Sequence, residues 1–202
     1  MTSLKLPLEF YLSEDVVTLA EKLLGKVLCT TINGKLTSGI IVETEAYKAP
    51  EDKASHAYQN KFTDRTKVMF RTGGIAYIYL CYGIHHLFNV VTGPGEKAHA
   101  VLVRALEPLD GIQVMLNRRK MQKVQPRLTA GPGSLSKALG ITTALCGEPL
   151  TEKSSKIWLE DRGITVQRVI RSPRVGVDYA EECAAWNWRL RIKDNDWTSK
   201  AK

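Results

Sequence analysis

Two stretches rich in β-branched residues, Lys26 to Ile32 and Lys35 to Tyr47, are separated only by Asn33-Gly34. Asn-Gly is the pair best suited to a two-residue turn with positive φ at both central positions, and such a turn joins antiparallel strands. This part of the chain is therefore committed to a hairpin whose second strand is long. A helix is predicted just before it, because Val16, Leu19, Ala20, Leu23 and Leu24 recur at helical spacing after Ser13, and Gly25 stands where helices commonly end.

The same signals continue along the chain. Residues 48 to 74 are polar and punctuated by Gly and Pro, and read as a long functional loop with a short helical stretch near Thr66 to Phe70. Ile75 to Cys81 and Leu87 to Val91 form a second predicted hairpin, with Gly83 as turn former and Tyr82 near the tip. A strand from Ala98 to Ala105 follows Gly93-Pro94-Gly95, and a helix runs from Asp110, as N-cap, to Met121. The basic end of that helix, Arg118 to Lys120, suits either the helix dipole or a DNA contact. Further strands are expected at Ile157 to Glu160 and Ile164 to Val169, joined by Asp161-Arg162-Gly163, and at Arg189 to Lys193. Between them, Asp178 and Glu181 resemble a capping pair. There is no repeat, low-complexity tract or linker. With 202 residues, 44% of them hydrophobic, the expected fold is α+β: one compact domain over 1–202 around a curved, mainly antiparallel sheet, with 198–202 frayed.

Lys and Arg outnumber Asp and Glu by 29 to 21, giving a net charge of +8 and a surface that attracts polyanions. No run approaches the ~18 apolar residues of a membrane span, and Pro7 and Glu9 interrupt the start before a signal-like segment forms, so a cytoplasmic or DNA-associated protein without membrane contact is expected. Cys29, Cys81, Cys146 and Cys183 include no C-x-x-C pair, which points to reduced thiols. Cys81 with His85 and His86 lacks a second ligand pair, so neither a metal nor another cofactor is expected.

Strand alternation sends Glu43, Glu45 and Tyr47 to one face. Alone, a Glu-x-Glu pair describes a solvated strand face. Here it keeps company with His56, Tyr77, Tyr79, Tyr82 and Asn89, the flat rings and polar edge groups needed to hold an extruded base. In Ala130-Gly-Pro-Gly-Ser-Leu-Ser-Lys, glycines precede a predicted helix start and could aim N–H groups at an anion. Gly131, Gly133, Ser134 and Lys137 are thus candidate phosphate contacts, and an ordinary helix cap explains the segment equally well.

Together these segments resemble the alkyladenine, or 3-methyladenine, DNA glycosylases of the type lacking a helix-hairpin-helix motif. The resemblance runs through Ile41 to Ala57, Ala76 to Gly83, Asn89, Leu102 to Gly111, Ala130 to Ile141 and Pro173 to Ala180, in the family's order. It implies a monomer acting on double-stranded DNA that contains a damaged purine: 3-methyladenine, 7-methylguanine, hypoxanthine or ethenoadenine. It implies a protruding DNA-inserting β-hairpin and an abasic product. Glu45 then matches the carboxylate that activates water and Arg104 the cation beside it. Tyr47, His56 and Tyr79 match the groups holding the base, Asn89 a pocket residue whose bulk disfavours guanine's amino group, and Tyr82 the wedge. No lysine in the matched motif replaces water, so lyase activity is not expected. A bacterial chain would act at the nucleoid, a eukaryotic one in the nucleus. The Ile84-His85-His86 segment departs from the better-known eukaryotic members. Two other readings stand beside this one: a metal-dependent nuclease built on Glu43, Glu45, Asp52 and His56, and a non-catalytic module stacking single strands on Tyr77, Tyr79 and Tyr82. The charge balance makes one prediction for undamaged duplex: log affinity should fall against log salt with a slope of several units, as phosphate contacts release counterions. A fluorescence-anisotropy salt titration checks this, and a flat response contradicts it.

Overall fold

The structure, a computed structural model, describes residues 4–200. Its centre is an eight-stranded sheet in which every pairing is antiparallel. The strands are β1 (Val27–Ile32), β2 (Lys35–Tyr47), β3 (Ala76–Cys81), β4 (His85–Thr92), β5 (His99–Pro108), β6 (Ile157–Glu160), β7 (Val169–Ser172) and β8 (Arg189–Ile192). The main order is β3-β4-β5-β2-β1-β6. β2 is the spine. Its first half pairs with β1 across the Asn33-Gly34 turn, its second half pairs with β8, and β5 runs along its other edge.

Among the described residues four α-helices accompany the sheet: α1 (Leu8–Tyr11), α2 (Val16–Lys22), α3 (Ile112–Arg119) and α4 (Pro132–Leu139). Alternation divides the work of the strands. Ile41 and Ala46 of β2, Ala76 and Ile78 of β3, Phe88 and Val90 of β4, and Val101 and Val103 of β5 join Leu19, Leu23, Leu135 and Leu139 in the main core. The residues between them (Glu43, Glu45, Tyr77, Tyr79, Asn89, Leu102 and Arg104) project from the other face. Two loop segments cover that second face. Residues 48–74 pack Ala49, Ala57 and Met69 against Tyr77 and Ala100, while 173–188 bring Val177, Ala180 and Cys183 against Ala54 and Tyr47.

Several local expectations change. Asp15 caps α2: its carboxylate accepts from Thr18 N at 3.0 Å and Thr18 Oγ1 at 2.6 Å, while Ser13 Oγ accepts from Asp15 N. Asp110 leaves the N-cap of α3 to Gly111, because its own carboxylate accepts from Ser38 Oγ and Arg162 Nη1. Ile164 to Arg168 form no strand. The outer edge of β6 is already taken by residues 4–6, where Leu6 N donates to Leu159 O and Asp161 N to Leu4 O, so only Val169–Ser172 find a partner, in β8. Asp178 and Glu181 do not cap: the 3-10 segment Asp178–Ala185 has no side-chain cap, and Glu181 pairs with Lys53. Arg118 and Arg119 are occupied within the chain, Arg118 on Ala138 O and Arg119 on Arg127 O. No helix among the described residues is long and apolar enough to cross a membrane, and all four cysteines are unpaired thiols.

The tail differs most from expectation. Thr198 and Ser199 do not fray: Ser199 is buried, its N–H donates to Glu43 Oε2 at 2.6 Å and its hydroxyl to Glu43 Oε1 at 2.8 Å. Ala201 and Lys202 lie outside the described residues. A buried carboxylate that loses charge-assisted bonds is left underpaired, which costs about 2 to 3 kcal/mol. Deleting residues 198–202 should therefore shift the urea midpoint by that equivalent; an unchanged midpoint would show that the tail leaves Glu43 indifferent.

Candidate active site

One row of cross-strand neighbours lays out the site. Tyr77 of β3 faces Asn89 of β4, Asn89 faces Leu102 of β5, Leu102 faces Glu45 of β2, and Glu45 faces Arg189 of β8. Register is interrupted where chemistry is densest. Ile41 pairs with Leu106, Glu43 with Ala105 and Thr44 with Val103, so Val42 bulges from β2 and Arg104 from β5. A bulge re-aims the extra residue. It brings the Arg104 guanidinium over both carboxylates, with Nε 2.9 Å from Glu43 Oε1 and Nη1 3.3 Å from Glu45 Oε2.

Glu45 is fully buried and its carboxylate is well furnished with donors. Oε2 also accepts from Tyr47 Oη at 2.8 Å, and Oε1 accepts from the backbone N–H of Val175 at 2.8 Å. Glu43 is equally buried and accepts from Arg104 Nε, Arg189 Nε at 2.8 Å, and Ser199. Burial works against the charge of Arg104, but Glu45 and Glu43 outweigh it and raise its pKa. Tyr47 is held protonated by burial and by Glu45, so its hydroxyl acts as a donor. Its ring lies under Arg174, whose guanidinium is 4.8 Å from the ring centroid. Arg174 in turn grips buried Asp52 through two bonds, 2.5 and 2.8 Å, and donates to Ala46 O.

Tyr47, Arg104 and Val175, the three partners of Glu45, line a cavity of about 430 Å³ together with Tyr77, Tyr79 and Asn89. Opposite the carboxylates its wall is aromatic. His56 packs edge-on to Tyr79 with centroids 4.6 Å apart, and its Nδ1 is 2.8 Å from Tyr77 Oη. Burial, reinforced by Arg65, holds the His56 pKa down at about 4, and burial pushes Tyr77 up to about 12. Asn89 is buried and fixed by its amide, which donates to Tyr77 O and Leu87 O.

At the rim the β3-β4 hairpin projects. Tyr82 and Gly83 both take positive φ, 50° and 70°, and Ile84 N closes the turn on Cys81 O. Tyr82 is 91% exposed, with Leu80 and Ile84 exposed beside it. His85 and His86, the residues that depart from the resemblance, brace the root of this hairpin. The His85 ring lies so close to Gly133 that a Cβ there would stand 2.8 Å from Nδ1, and His86 Nδ1 accepts from Thr143 N. Of the other candidate phosphate contacts, Ser134 already accepts from Arg119 through Oγ, Gly131 is the N-cap of α4, and Lys137 is exposed.

The sequence-predicted residues Glu45, Arg104, Tyr47, His56, Tyr79 and Asn89 thus converge, with Tyr82 at the rim. Asp52 was named only for the nuclease reading, and Arg65, Arg174, Val175, Arg189 and Ser199 were missed as site members. Of these, only Arg174 and Val175 carried a signal, since they sit in the Pro173 to Ala180 segment; the others come together through tertiary folding alone. The carboxylates of the nuclease reading do not converge with His56, because Asp52 is turned to Arg174 and Glu43 to Arg104 and Arg189. Nor do the hairpin's tyrosines form one flat stacking platform: Tyr77 is buried while Tyr82 is open.

The site thus combines a buried carboxylate and guanidinium with a ring-lined cavity, beside a hairpin whose tip is exposed. The methylpurine-DNA glycosylase family model matches residues 9–196. A protein of Chlamydia felis, provisionally named 3-methyladenine DNA glycosylase, is 49% identical over 188 residues, 93% of this chain and 95% of its own. One from Bacillus cereus, carrying the same name, is 45% identical over 96% of this chain and 98% of its own. The chain belongs to the methylpurine-DNA glycosylase family, enzymes of DNA repair that hydrolyse N-glycosyl bonds.

The environment of His56 has a consequence for stability. Between pH 6.5 and about 4 the unfolded chain takes up a proton at this histidine that the fold refuses, so stability is full above 6.5 and declines as the pH falls to 4. The loss attributable to His56 should be on the order of 2 kcal/mol after allowing for its partial exposure. Urea unfolding at pH 7 and pH 4.5 should show a smaller acid loss for His56→Gln than for the wild type; equal losses would contradict it.

Proposed function

We propose that this protein extrudes a damaged purine from double-stranded DNA, as a monomer, and hydrolyses its N-glycosidic bond with water activated by Glu45. The observation that carries the reading is a buried carboxylate whose donors all line one aromatic-walled cavity. Val175 N and Tyr47 Oη fix the orientation of Glu45 with 2.8 Å bonds, and Arg104 makes the longest contact, 3.3 Å. That last contact is the one a water can replace. Glu45 then takes a proton from this water as its oxygen attacks C1′, and the bond from C1′ to the purine nitrogen breaks with its electrons leaving on the base. Positive charge develops on the sugar in an oxocarbenium-like transition state, which the nearby carboxylates stabilise. Arg104 holds the water and meets the DNA backbone. The base is held by Tyr47, His56 and Tyr79, and the bulk of Asn89 disfavours guanine's amino group. Candidate lesions are 3-methyladenine, 7-methylguanine, hypoxanthine and ethenoadenine, and the product is an abasic site. Around the hairpin, Gly131, Gly133 and Lys137 are candidate phosphate contacts; Ser134 is the weakest of the set because Arg119 already holds its hydroxyl.

Glu45→Gln should abolish base release, measured by alkaline cleavage of lesion duplexes in the presence of chelator, while lesion affinity stays nearly intact. The amide keeps the shape but cannot accept the proton. Near-normal single-turnover release by this variant would remove Glu45 from the role.

Tyr82 belongs to the same proposal as the wedge that fills the gap left by the extruded nucleotide. A large ring held in open solvent on a positive-φ backbone gains nothing from the core, and unstacking a base step costs energy that such a ring recovers. Tyr82→Ser should weaken lesion binding by roughly 1 to 3 kcal/mol, the worth of one base-aromatic stack, with little change in protein stability. A fluorescent base analogue beside the lesion reports extrusion directly, and an undiminished signal in the variant would place the wedge elsewhere.

A further inference from the structure

The donors that orient Glu45 come from two parts of the chain, and one buried arginine holds both. The side chains of Arg174 and its partner Asp52 are completely shielded from solvent. The terminal N–H groups of the guanidinium are all engaged. Nη1 donates to Asp52 Oδ2 at 2.5 Å and to Ala46 O at 2.8 Å, and Nη2 donates to Asp52 Oδ1 at 2.8 Å and to Cys183 O at 3.2 Å. The same group lies over two rings, 4.8 Å from the centroid of Tyr47 and 5.3 Å from that of Trp188. Asp52 is itself fixed, because its carboxylate accepts from the backbone N–H groups of Lys48 and Ala54.

These contacts surround Glu45. Ala46 O lies on β2 between Glu45 and Tyr47, so the bond to it fixes the strand that carries the carboxylate. Tyr47, whose ring is packed against the guanidinium, donates to Glu45 Oε2. The residue after Arg174 is Val175, whose backbone N–H donates to Glu45 Oε1 at 2.8 Å. One guanidinium thus grips the strand under the carboxylate, packs on the ring of one of its donors and anchors the segment that supplies another.

Stability alone does not account for the pair. Desolvating two charges costs about as much as their attraction returns, and apolar residues of the same volume fill such a space at least as well. Among the described residues the Nε of Arg174 also finds no hydrogen-bond partner, a further cost of burial. We infer that Arg174, held by Asp52, is a positioning residue for base release: it sets the angle at which Glu45 presents its carboxylate to water. The inference rests on the reading of Glu45 as the base and deepens it. A group misplaced by about 1 Å in a site of this kind costs on the order of a hundredfold in rate.

The test replaces both charges at once, Asp52→Leu with Arg174→Met, because removing one alone leaves the other buried and unpaired. Single-turnover base release from a duplex carrying one hypoxanthine is measured as a function of pH, beside lesion affinity and thermal melting. The double variant should melt close to the wild type and bind the lesion duplex as well, while its release rate falls about a hundredfold. The acid limb of its pH–rate profile should move to higher pH, since a carboxylate that has lost a fixed N–H donor takes up a proton more readily. Release at the wild-type rate would overturn the inference. So would a rate loss matched by an equal loss of affinity with an unmoved acid limb, which is what a distorted cavity alone produces. If the double variant does not fold, Arg174→Lys, which keeps the charge without the fork, decides by the same two readings. Glu45→Gln measured alongside separates the two claims: retained release there removes Glu45 and this inference together, whereas lost release there beside normal release in the Arg174 variants removes Arg174 alone.

Discussion

Glu43 is the residue on which the arrangement depends. It is wholly buried on a central strand, where an isolated carboxylate would be prohibitively costly, and it is tolerated because Arg104, Arg189 and Ser199 surround it with donors. Each of these comes from a different part of the chain: β5, β8 and the carboxy-terminal tail. Burial of one charge thereby ties β5, β8 and Ser199 to a single geometry. Its consequence for chemistry is indirect and large. With Arg104 Nε anchored on Glu43, the other arm of the same guanidinium is left to face Glu45.

The sheet resolves a conflict between stability and function by alternation. One face of β2 to β5 packs aliphatic side chains on the helices, and the other carries carboxylates, arginine, tyrosines and asparagine. The polar face is not left to solvent. Residues 48–74 and 173–188 cover it with two small clusters of their own, which buries Glu45 and leaves a cavity lined by its hydrogen-bond partners. A low-dielectric surrounding strengthens every hydrogen bond to that carboxylate. The same covering segments deliver Val175, Arg174, His56 and Arg65 to the site.

The hairpin departs from the economy of the rest. A non-glycine residue at positive φ and an apolar ring almost fully exposed both cost free energy, so the tip must be supported from below. His85 against Gly133 and His86 on Thr143 provide that support, joining the hairpin to α4 and the turn after it. The hairpin is thus braced at its root and exposed at its tip.

Local chemistry alone determined much of this protein. Asn33-Gly34 fixed the first hairpin, alternation placed Glu43, Glu45 and Tyr47 on one face, and Tyr82 beside Gly83 marked an exposed tip. These are readable because turn propensity and strand period act between neighbours in the chain. Tertiary structure decided the rest. Whether Asp110 capped a helix depended on Arg162, whether residues 164 to 168 formed a strand depended on residues 4–6 already holding the edge of β6, and whether the tail frayed depended on Glu43. The position of Arg65 belongs with these. A lone arginine in a polar loop carries no sign of its neighbours; only folding shows that the carboxylates nearby are matched by other arginines and that this one faces the cavity. Charge compensation is a property of three-dimensional proximity, which sequence spacing does not encode.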